Sequence, residues 1–542
     1  MSSIDWIILC VTLAGIVIYG IYKSRTSKNL EGYFLSNRTL PWYLVLLSIM
    51  GTQASAITFL TGPGQAYSDG MRFVQYYFGL PLAMIVISIF FVPVFNRLKV
   101  YTAYEFLENR FDLKTRTLTS FLFLLSRGLS TGVSIFAPSI VLSSLMGWNI
   151  YYTNLVMGGL LIIYTMSGGA KAVAHTQKLQ MIIVFVALFI VGYLAVKLLP
   201  DAIGFTDALK KSGEMGKMNI ITTGFTENGF NWKDKYNIWS GLIGGFFLAL
   251  SYFGTDHSQV GRYLTAKDVK ESRRGLLMNG LVKVPMQFFI LLLGILIFSF
   301  YQFNKAPVYF DQAKITIAKQ SSYKDSLVAV ETRYDAALAA SDIKSSTALR
   351  TQYKAVLQKA LPGQDTNDNN YIFLRFVMDY LPKGLIGLII AIIFLASWGS
   401  IAAALNSLAA VSVVDFHKKF FVKVETEQQD YRISQWYTFG WGIFCIIIAM
   451  FAQNIGNSLI EAVNILGSLF YGVILGIFLV ALGIKFIRGH AVFYAAVVSE
   501  LLIILIYQQD IVSFLWLNAI GAILVVLLAS LFQVIIKQKA LT

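Results

Sequence analysis

Thirteen apolar stretches, each roughly the 17–25 residues that cross a bilayer, constrain this chain more than any motif in it. They lie near residues 4–22, 41–67, 73–96, 118–147, 149–167, 177–198, 238–255, 275–303, 384–414, 434–453, 458–484, 490–507 and 511–536. Lipid offers the backbone no hydrogen-bond partner, so runs of this length must form helices. Composition agrees: 56% of the 542 residues are hydrophobic and 13% charged, against about 25% charged in soluble domains. That balance excludes an ordinary soluble enzyme, and the high hydrophobicity excludes a disordered chain. The predicted fold class is an all-α integral membrane protein.

A net charge of +15 raises nucleic acid as a partner, but the position of the charges gives another reading. Basic residues gather in the odd-numbered loops, for example Arg97, Lys99, Arg110, Lys114 and Arg116 in the third and Arg262, Lys267, Lys270, Arg273 and Arg274 in the seventh. By the positive-inside rule the amino terminus lies outside and the carboxyl terminus inside, as an odd span count requires. The lipid bilayer is then the partner, with no nucleic acid and no obligatory protein partner expected. Met1 to Trp6 carry no Lys or Arg, which points to a retained first span and not a cleaved signal. Cys10 and Cys445 both fall in apolar stretches and read as small buried hydrophobes. Two even-numbered loops are long. Residues 199–237 carry mixed charge, and residues 304–370 form an insertion with helix-period segments at Ser322–Ala340 and Ser346–Leu361. A helical pair outside the membrane is expected there, as a passive elaboration more than a lid.

Three spans are unusually polar. The second holds Gly51-Thr52-Gln53-Ala54-Ser55 and then Gly62-Pro63-Gly64. Polar side chains in mid-membrane are costly, and an unwound segment whose freed carbonyls and hydroxyls replace a cation's hydration shell accounts for them. The seventh holds Gly241, Gly244-Gly245 and a break at Tyr252-Phe253-Gly254-Thr255. Helices five positions apart run in opposite directions, so two interrupted helices at this offset are what an inverted five-helix repeat gives. Close helix packing explains the glycines equally well. The ninth holds Ser397, Gly399, Ser400, Asn406 and Ser407; these hydroxyls suit Na⁺, or they bond back to their own helix.

Ordered along the chain are Glu31-Gly32-Tyr33-Phe34 with Leu40-Pro41-Trp42, the segment Ser48 to Phe59, Tyr101-Thr102-Ala103-Tyr104-Glu105-Phe106-Leu107-Glu108-Asn109-Arg110-Phe111-Asp112, Gly168-Gly169, Arg262-Tyr263 and Leu405-Asn406-Ser407. In these the chain resembles the sodium:solute symporters, the group holding bacterial sodium–galactose and sodium–sialic acid symporters and mammalian glucose, iodide and vitamin carriers. The resemblance runs from about Asp5 to the last span, excluding 304–370. It implies a leucine-transporter-type inverted five-helix repeat of about 13 transmembrane helices. Residues 1–40 would be an extra helix and loop, 41–198 the first repeat, 199–237 an extracellular loop, 238–484 the second repeat, and 485–542 the last helices.

The resemblance also implies sites. The family's sodium site maps onto the carbonyls of Gly51, Ala54 and Ala396 and the hydroxyl of Ser400; a fifth position, usually Ser, is Gly399 here, where water or Ser397 would substitute. A second sodium site of some members maps onto Gln177, Ala402 and Ala403, which have lost its oxygens, so one Na⁺ per cycle is expected. The substrate cavity maps onto Gln53, Ser55, Thr58, Tyr76, Tyr77, Ser130, Tyr252, Phe253 and Lys283. Ser55, Thr58 and Phe253 match the sialic acid symporter and Lys283 the galactose symporter. Tyr77 replaces the latter's Glu and Ser130 the former's Arg. Arg127, alone in an apolar span, is a functional candidate and with Lys283 would suit an anionic solute; its alternative is a carbonyl or a helix end. Asp256, His257 and Arg262 read as intracellular gate or salt-bridge residues.

The function implied is sodium-coupled import of a small polar solute (sugar, polyol, sugar acid or carboxylate) across the plasma membrane, or the inner membrane of a Gram-negative bacterium. The alternatives are a sodium-independent facilitator and a transporter-like sensor. No phosphate-binding loop, no metal cluster among the four His and no nucleophile beside a base is present, so no enzyme activity is expected.

Overall fold

The computed structural model describes residues 1–24, 30–340, 342–421, 426–452 and 458–539. Apart from a short hairpin, Phe225–Thr226 with Gly229–Phe230, its regular structure is helical. Ten helices are long and apolar enough to cross a membrane, and three apolar ones are shorter: Trp42–Gln53, Ile150–Met166 and Ser240–Gly254. All thirteen predicted stretches are helical.

The second span breaks where its polar run predicts. One helix covers Trp42–Gln53, Ala54 and Ser55 leave helical geometry, and a second helix covers Ala56–Asp69. Gly62-Pro63-Gly64 is a different matter, because the second helix runs through it. These glycines serve close packing. A Cβ on Gly64 would lie 1.9 Å from the Asn369 carbonyl oxygen, and one on Gly294 would lie 2.2 Å from that of Pro63. The seventh span comprises a π turn at Ser240–Gly244 and a helix at Gly245–Gly254. After Thr255 and Asp256 a separate helix, His257–Leu264, follows. Its glycines also admit backbone, Gly241 facing the Gln75 carbonyl and Gly245 that of Tyr76.

Spans five and six belong to one helical run, Ile150–Lys197. The limbs are not collinear. Tyr164 and Thr176 would stand about 18 Å apart on a straight helix, yet their hydroxyls meet at 2.9 Å. Span nine, Leu385–Val411, passes into a π segment at Ser412–His417. Cys445 is buried as expected, whereas Cys10 is exposed on the outward face of the first helix.

Helix starts that lack their own caps borrow carboxylates from distant spans. Pro41 offers the second span no side-chain cap, and the Trp42 amide donates to Glu271 Oε2 at 2.8 Å. Gly384 cannot cap span nine either. Asp5 of the first helix accepts from the Gly384 amide (2.6 Å) and the Gly387 amide (3.2 Å). A negative charge at a helix start satisfies orphan amides and opposes the helix dipole. The first helix thus fixes the start of the span that carries Ser400.

The insertion holds three helices, Gln312–Ala318, Lys324–Ala339 and Ile343–Ala360. They build their own core from Leu327, Val330, Tyr334, Tyr353 and Leu357. Asp368, fully buried at the insertion's return, accepts from the Phe310 amide at 2.9 Å and pairs with Arg350 (3.1 Å) and Lys354 (2.6 Å). Burial alone would raise its pKa, but the two cations hold it below the ordinary carboxylate range. A depressed folded-state pKa contributes stability that is present at neutral pH and lost as pH falls through that pKa. Asp368→Ala leaves two half-buried cations without a counter-ion and should cost about 3 kcal/mol locally. Hydrogen exchange over 324–360 should accelerate by roughly a hundredfold, and unchanged exchange would show that Asp368 does not anchor the insertion.

Candidate functional site

At the break of the second span the helix ladder loses its register. The Ser55 amide, which would serve the Gly51 carbonyl, donates to Gln53 O at 3.1 Å, and the Ala54 amide donates to Met50 O at 2.7 Å. Gly51 O is left without its regular partner, next to span nine. Gln177 joins the two elements. Its Oε1 accepts from Ser48 Oγ (2.8 Å), and its Nε2 donates to Thr52 Oγ1 (3.2 Å) and to Gly399 O (3.1 Å). Glycine at two positions makes room for it. A Cβ on Gly51 would lie 2.9 Å from Gln177 Cβ, and one on Gly399 would lie 2.5 Å from Gln180 Oε1 and 3.3 Å from Gln177 Cγ. A serine at 399 would need the Gln180 side-chain tip to shift and Gln177 to give slightly, so Gly399 leaves both glutamines their present place.

Ser400 Oγ donates to Ser397 O of its own helix at 3.1 Å. The Ser397 hydroxyl is buried and has no hydrogen-bond partner among the described residues. Ala402 and Ala403 are buried against Val173.

Ser400 shares a cavity of about 110 Å³ with Thr52, Gln53, Ser55 and Thr58 of the break, with Tyr76 and Tyr77, and with Arg127 and Tyr252. The structure also brings in Thr131, Ser134, Asn464 and Tyr471, which no sequence pattern singled out; a lone Asn in the apolar eleventh stretch was the available signal. Ser130, Phe253 and Lys283 are absent from the lining. Ser130 Oγ donates to Ser126 O at 2.8 Å, Phe253 packs on Tyr252 with ring centroids 4.9 Å apart, and Lys283 is buried behind Tyr77, its Nζ 5.8 Å from that ring's centroid.

Arg127 is paired. Its Nη2 donates to Asp256 Oδ2 at 2.7 Å and to Ser258 Oγ, while the Tyr471 hydroxyl donates to the same Asp256 oxygen at 2.8 Å. The guanidinium lies 5.3 Å from the Tyr252 ring centroid. Asp256, read from the sequence as a gate or salt-bridge residue, forms its ion pair with the arginine in the cavity wall. Arg262 is buried, with Nε and Nη1 lacking partners among the described residues. At the far side of the cavity the Tyr76 hydroxyl donates to Asn464 Oδ1 at 3.1 Å. Three buried polar atoms of the lining have no partner among the described residues: Gln53 Oε1, Arg127 Nε and Asn464 Nδ2. Orphaned polar atoms are costly, and one acceptor facing two donors is chemistry for a polar solute.

A second cavity of about 570 Å³ lies next along the same two helices, lined by Phe136 and Ile140 beyond Ser134 and by Leu459 before Ile460. The roots of the insertion, at Asp311 and Asn370, line it too. The insertion is therefore attached beside a cavity that neighbours the central one along these helices.

Among known proteins, a sodium/sialic acid symporter of Aliivibrio fischeri is 24% identical, over 99% of this chain and 94% of that protein. A sodium/glucose cotransporter of Vibrio parahaemolyticus is 25% identical, over 78% of this chain and 70% of that one. The substrate-bound, outward-open structure of a sodium-coupled sialic acid symporter superposes with a TM-score of 0.79 at 22% identity, covering 98% of both chains. That likeness gives the two proteins a common fold. The family model described as the sodium:solute symporter family matches residues 33–326 and 346–499. The chain belongs to the sodium:solute symporter family, whose members here are transporters and not enzymes.

Proposed function

We propose that this protein is a sodium-coupled importer of a small polar solute, working by alternating access. The observation that carries the reading is the single cavity shared by the unwound break, the Ser400 hydroxyl and a neutralised Arg127–Asp256 pair. Na⁺ would be held by the carbonyls of Gly51, Ala54 and Ala396 and by Ser400 Oγ. Gly399 contributes no side-chain oxygen, and Ser397, with its unpartnered hydroxyl, is the nearest substitute. Thirteen spans, with the amino terminus outside and repeats over 41–198 and 238–484, complete the reading.

At about 110 Å³ the cavity is smaller than the roughly 300–1,000 Å³ typical of small-molecule sites. A solute enters only when one end opens. Two latches close it: Tyr76–Asn464 on one side and the Arg127–Asp256–Tyr471 cluster on the other. In our reading these latches open alternately, and Na⁺ binding at the break sets which. The membrane potential supplies about 2.3 kcal/mol per charge per 100 mV for each Na⁺ that enters.

The solute would lie against Gln53, Ser55, Thr58, Tyr76, Tyr77 and Tyr252. Tyrosine faces suit the apolar face of a sugar ring, and the Gln53 and Asn464 amides suit its hydroxyls. With Arg127 neutralised by Asp256 and Lys283 behind Tyr77, a polyhydroxylated solute fits better than the doubly cationic site expected for a free anion. A sugar or polyol leads this reading, with a sugar acid or carboxylate next.

A sodium-independent facilitator is the second reading, favoured by Gly399 and by the bond from Ser400 to its own helix. Uptake into proteoliposomes separates the two. Replacing external Na⁺ with K⁺ or choline should abolish concentrative uptake, and equal uptake in all three salts would establish the facilitator. Ser400→Ala should raise the half-saturating Na⁺ concentration about tenfold or more, since a hydrogen bond or ligand to a charged group is worth roughly 1.5–3 kcal/mol. An unchanged value would assign Ser400 to helix packing.

A further inference from the structure

We propose that a second binding site, separate from the central cavity, lies between the insertion and the membrane helices, and that it takes an anionic group carried on an apolar body. The site is a cavity of about 640 Å³, within the roughly 300–1,000 Å³ of small-molecule sites and several times larger than the central one. Tyr67, at its wall, is nine residues from Thr58 on the same helix, which separates the two by roughly 13 Å.

Two segments bring cations to it. Lys211 and Lys217 come from the 204–217 segment, and Arg350 and Lys354 from the insertion helix Ile343–Ala360. Asp342 is the one carboxylate in the lining. Asp368, which does not line the cavity, pairs with both Arg350 and Lys354, so one buried negative charge is shared between two cations. Lys211 also faces Glu214 at 3.8 Å, both of them exposed. With Asp342 and Asp368 set against Arg350 and Lys354, the positive charge left over in the wall is that of Lys217. Its Nζ donates to Ser68 O at 2.5 Å and lies 5.3 Å from the Phe298 centroid; Asp69, which attracts it, is itself bonded to Arg72 at 2.9 Å. A hard cation beside only a carbonyl and a ring favours an anion.

The floor is aromatic. Tyr67, Phe298 and Tyr301 pack edge to face, with Tyr67 5.3 Å from Phe298 and 6.2 Å from Tyr301. Tyr301 is 2% exposed, and its hydroxyl has no hydrogen-bond partner among the described residues. A buried donor without an acceptor, in a cavity that Lys217 also lines, is completed by a carboxylate or phosphate oxygen. An occupant would touch Ser68 and Tyr67, at the end of the helix that starts at the sodium break, and the insertion on its other side. Its binding would brace the two against each other.

The test uses full-length protein in phosphatidylcholine nanodiscs without Na⁺, so that it is independent of coupled transport, with phenylacetate as probe and calorimetry as readout. Phenylacetate should bind at least tenfold more tightly than uncharged phenylacetamide. Lys211→Gln combined with Lys217→Gln should weaken phenylacetate about tenfold while leaving the thermal midpoint unchanged, and Tyr301→Phe should weaken it severalfold. Equal affinity for the amide, or unchanged affinity in the double variant, would overturn the site. So would loss of binding in Thr58→Ala with retention in the double variant, because that places the probe in the central cavity. Phosphatidylglycerol in the nanodiscs distinguishes the sources. Competition that needs Lys211 and Lys217 identifies a lipid phosphate as the occupant, and its absence identifies a soluble carboxylate; both leave the anionic site standing.

Discussion

The side-chain amide of Gln177 holds the centre of this protein together. It links Ser48 and Thr52, on the last turns before the break, to the Gly399 carbonyl of span nine. An unwound segment in a bilayer needs partners for the backbone groups it frees, and it needs a neighbour fixed closely enough to complete a cation shell. The Gln177 bridge meets the second need with three hydrogen bonds, each worth roughly 0.6–1 kcal/mol net. Gly399, whose carbonyl it binds, has no side-chain oxygen of its own. In the proposed sodium site, coordination and helix packing would be set by the same few atoms.

The same logic recurs farther out. Span nine is positioned from its start by Asp5 and the second span by Glu271, each carboxylate capping a helix other than its own. The Arg127–Asp256 pair is a different use of charge. Removing two charges from water is expensive, and such a pair is seldom a source of stability over an apolar alternative. In the proposed cycle its value would lie in being breakable: the bonded cluster with Tyr471 and Ser258 would close one end of the cavity, and parting it would admit water to every member at once. The Tyr76–Asn464 bond at the other end is neutral and weaker.

Much of this was legible in the sequence, for physical reasons. Lipid forces helices, so every apolar stretch is helical. Polar residues in mid-span are costly enough to be informative, so Gly51 to Ser55 mark the break correctly. What the sequence concealed was partnership across spans. Arg127 stood out as a lone charge, but nothing near it in the chain pointed to Asp256, 129 positions on. Gln177 and Gly399 each departed from the family pattern, yet only the structure shows that they meet, through the bond from Gln177 Nε2 to Gly399 O. Gly62-Pro63-Gly64 misled because glycine and proline break helices in water, whereas here the glycines let Asn369 and Ile290 approach. Lys283 resembles its counterpart in the galactose symporter, but the face of its helix sets it behind Tyr77.

Gln177, Ala402 and Ala403 offer no carboxylate and no hydroxyls for a second sodium ion, so the stoichiometry proposed is one sodium ion per solute. The most direct measurement is the coupling ratio, obtained by following radiolabelled sodium and solute uptake together in proteoliposomes at a fixed membrane potential. One sodium ion per solute is the predicted result. A ratio of two, or solute uptake with no sodium movement, would contradict it.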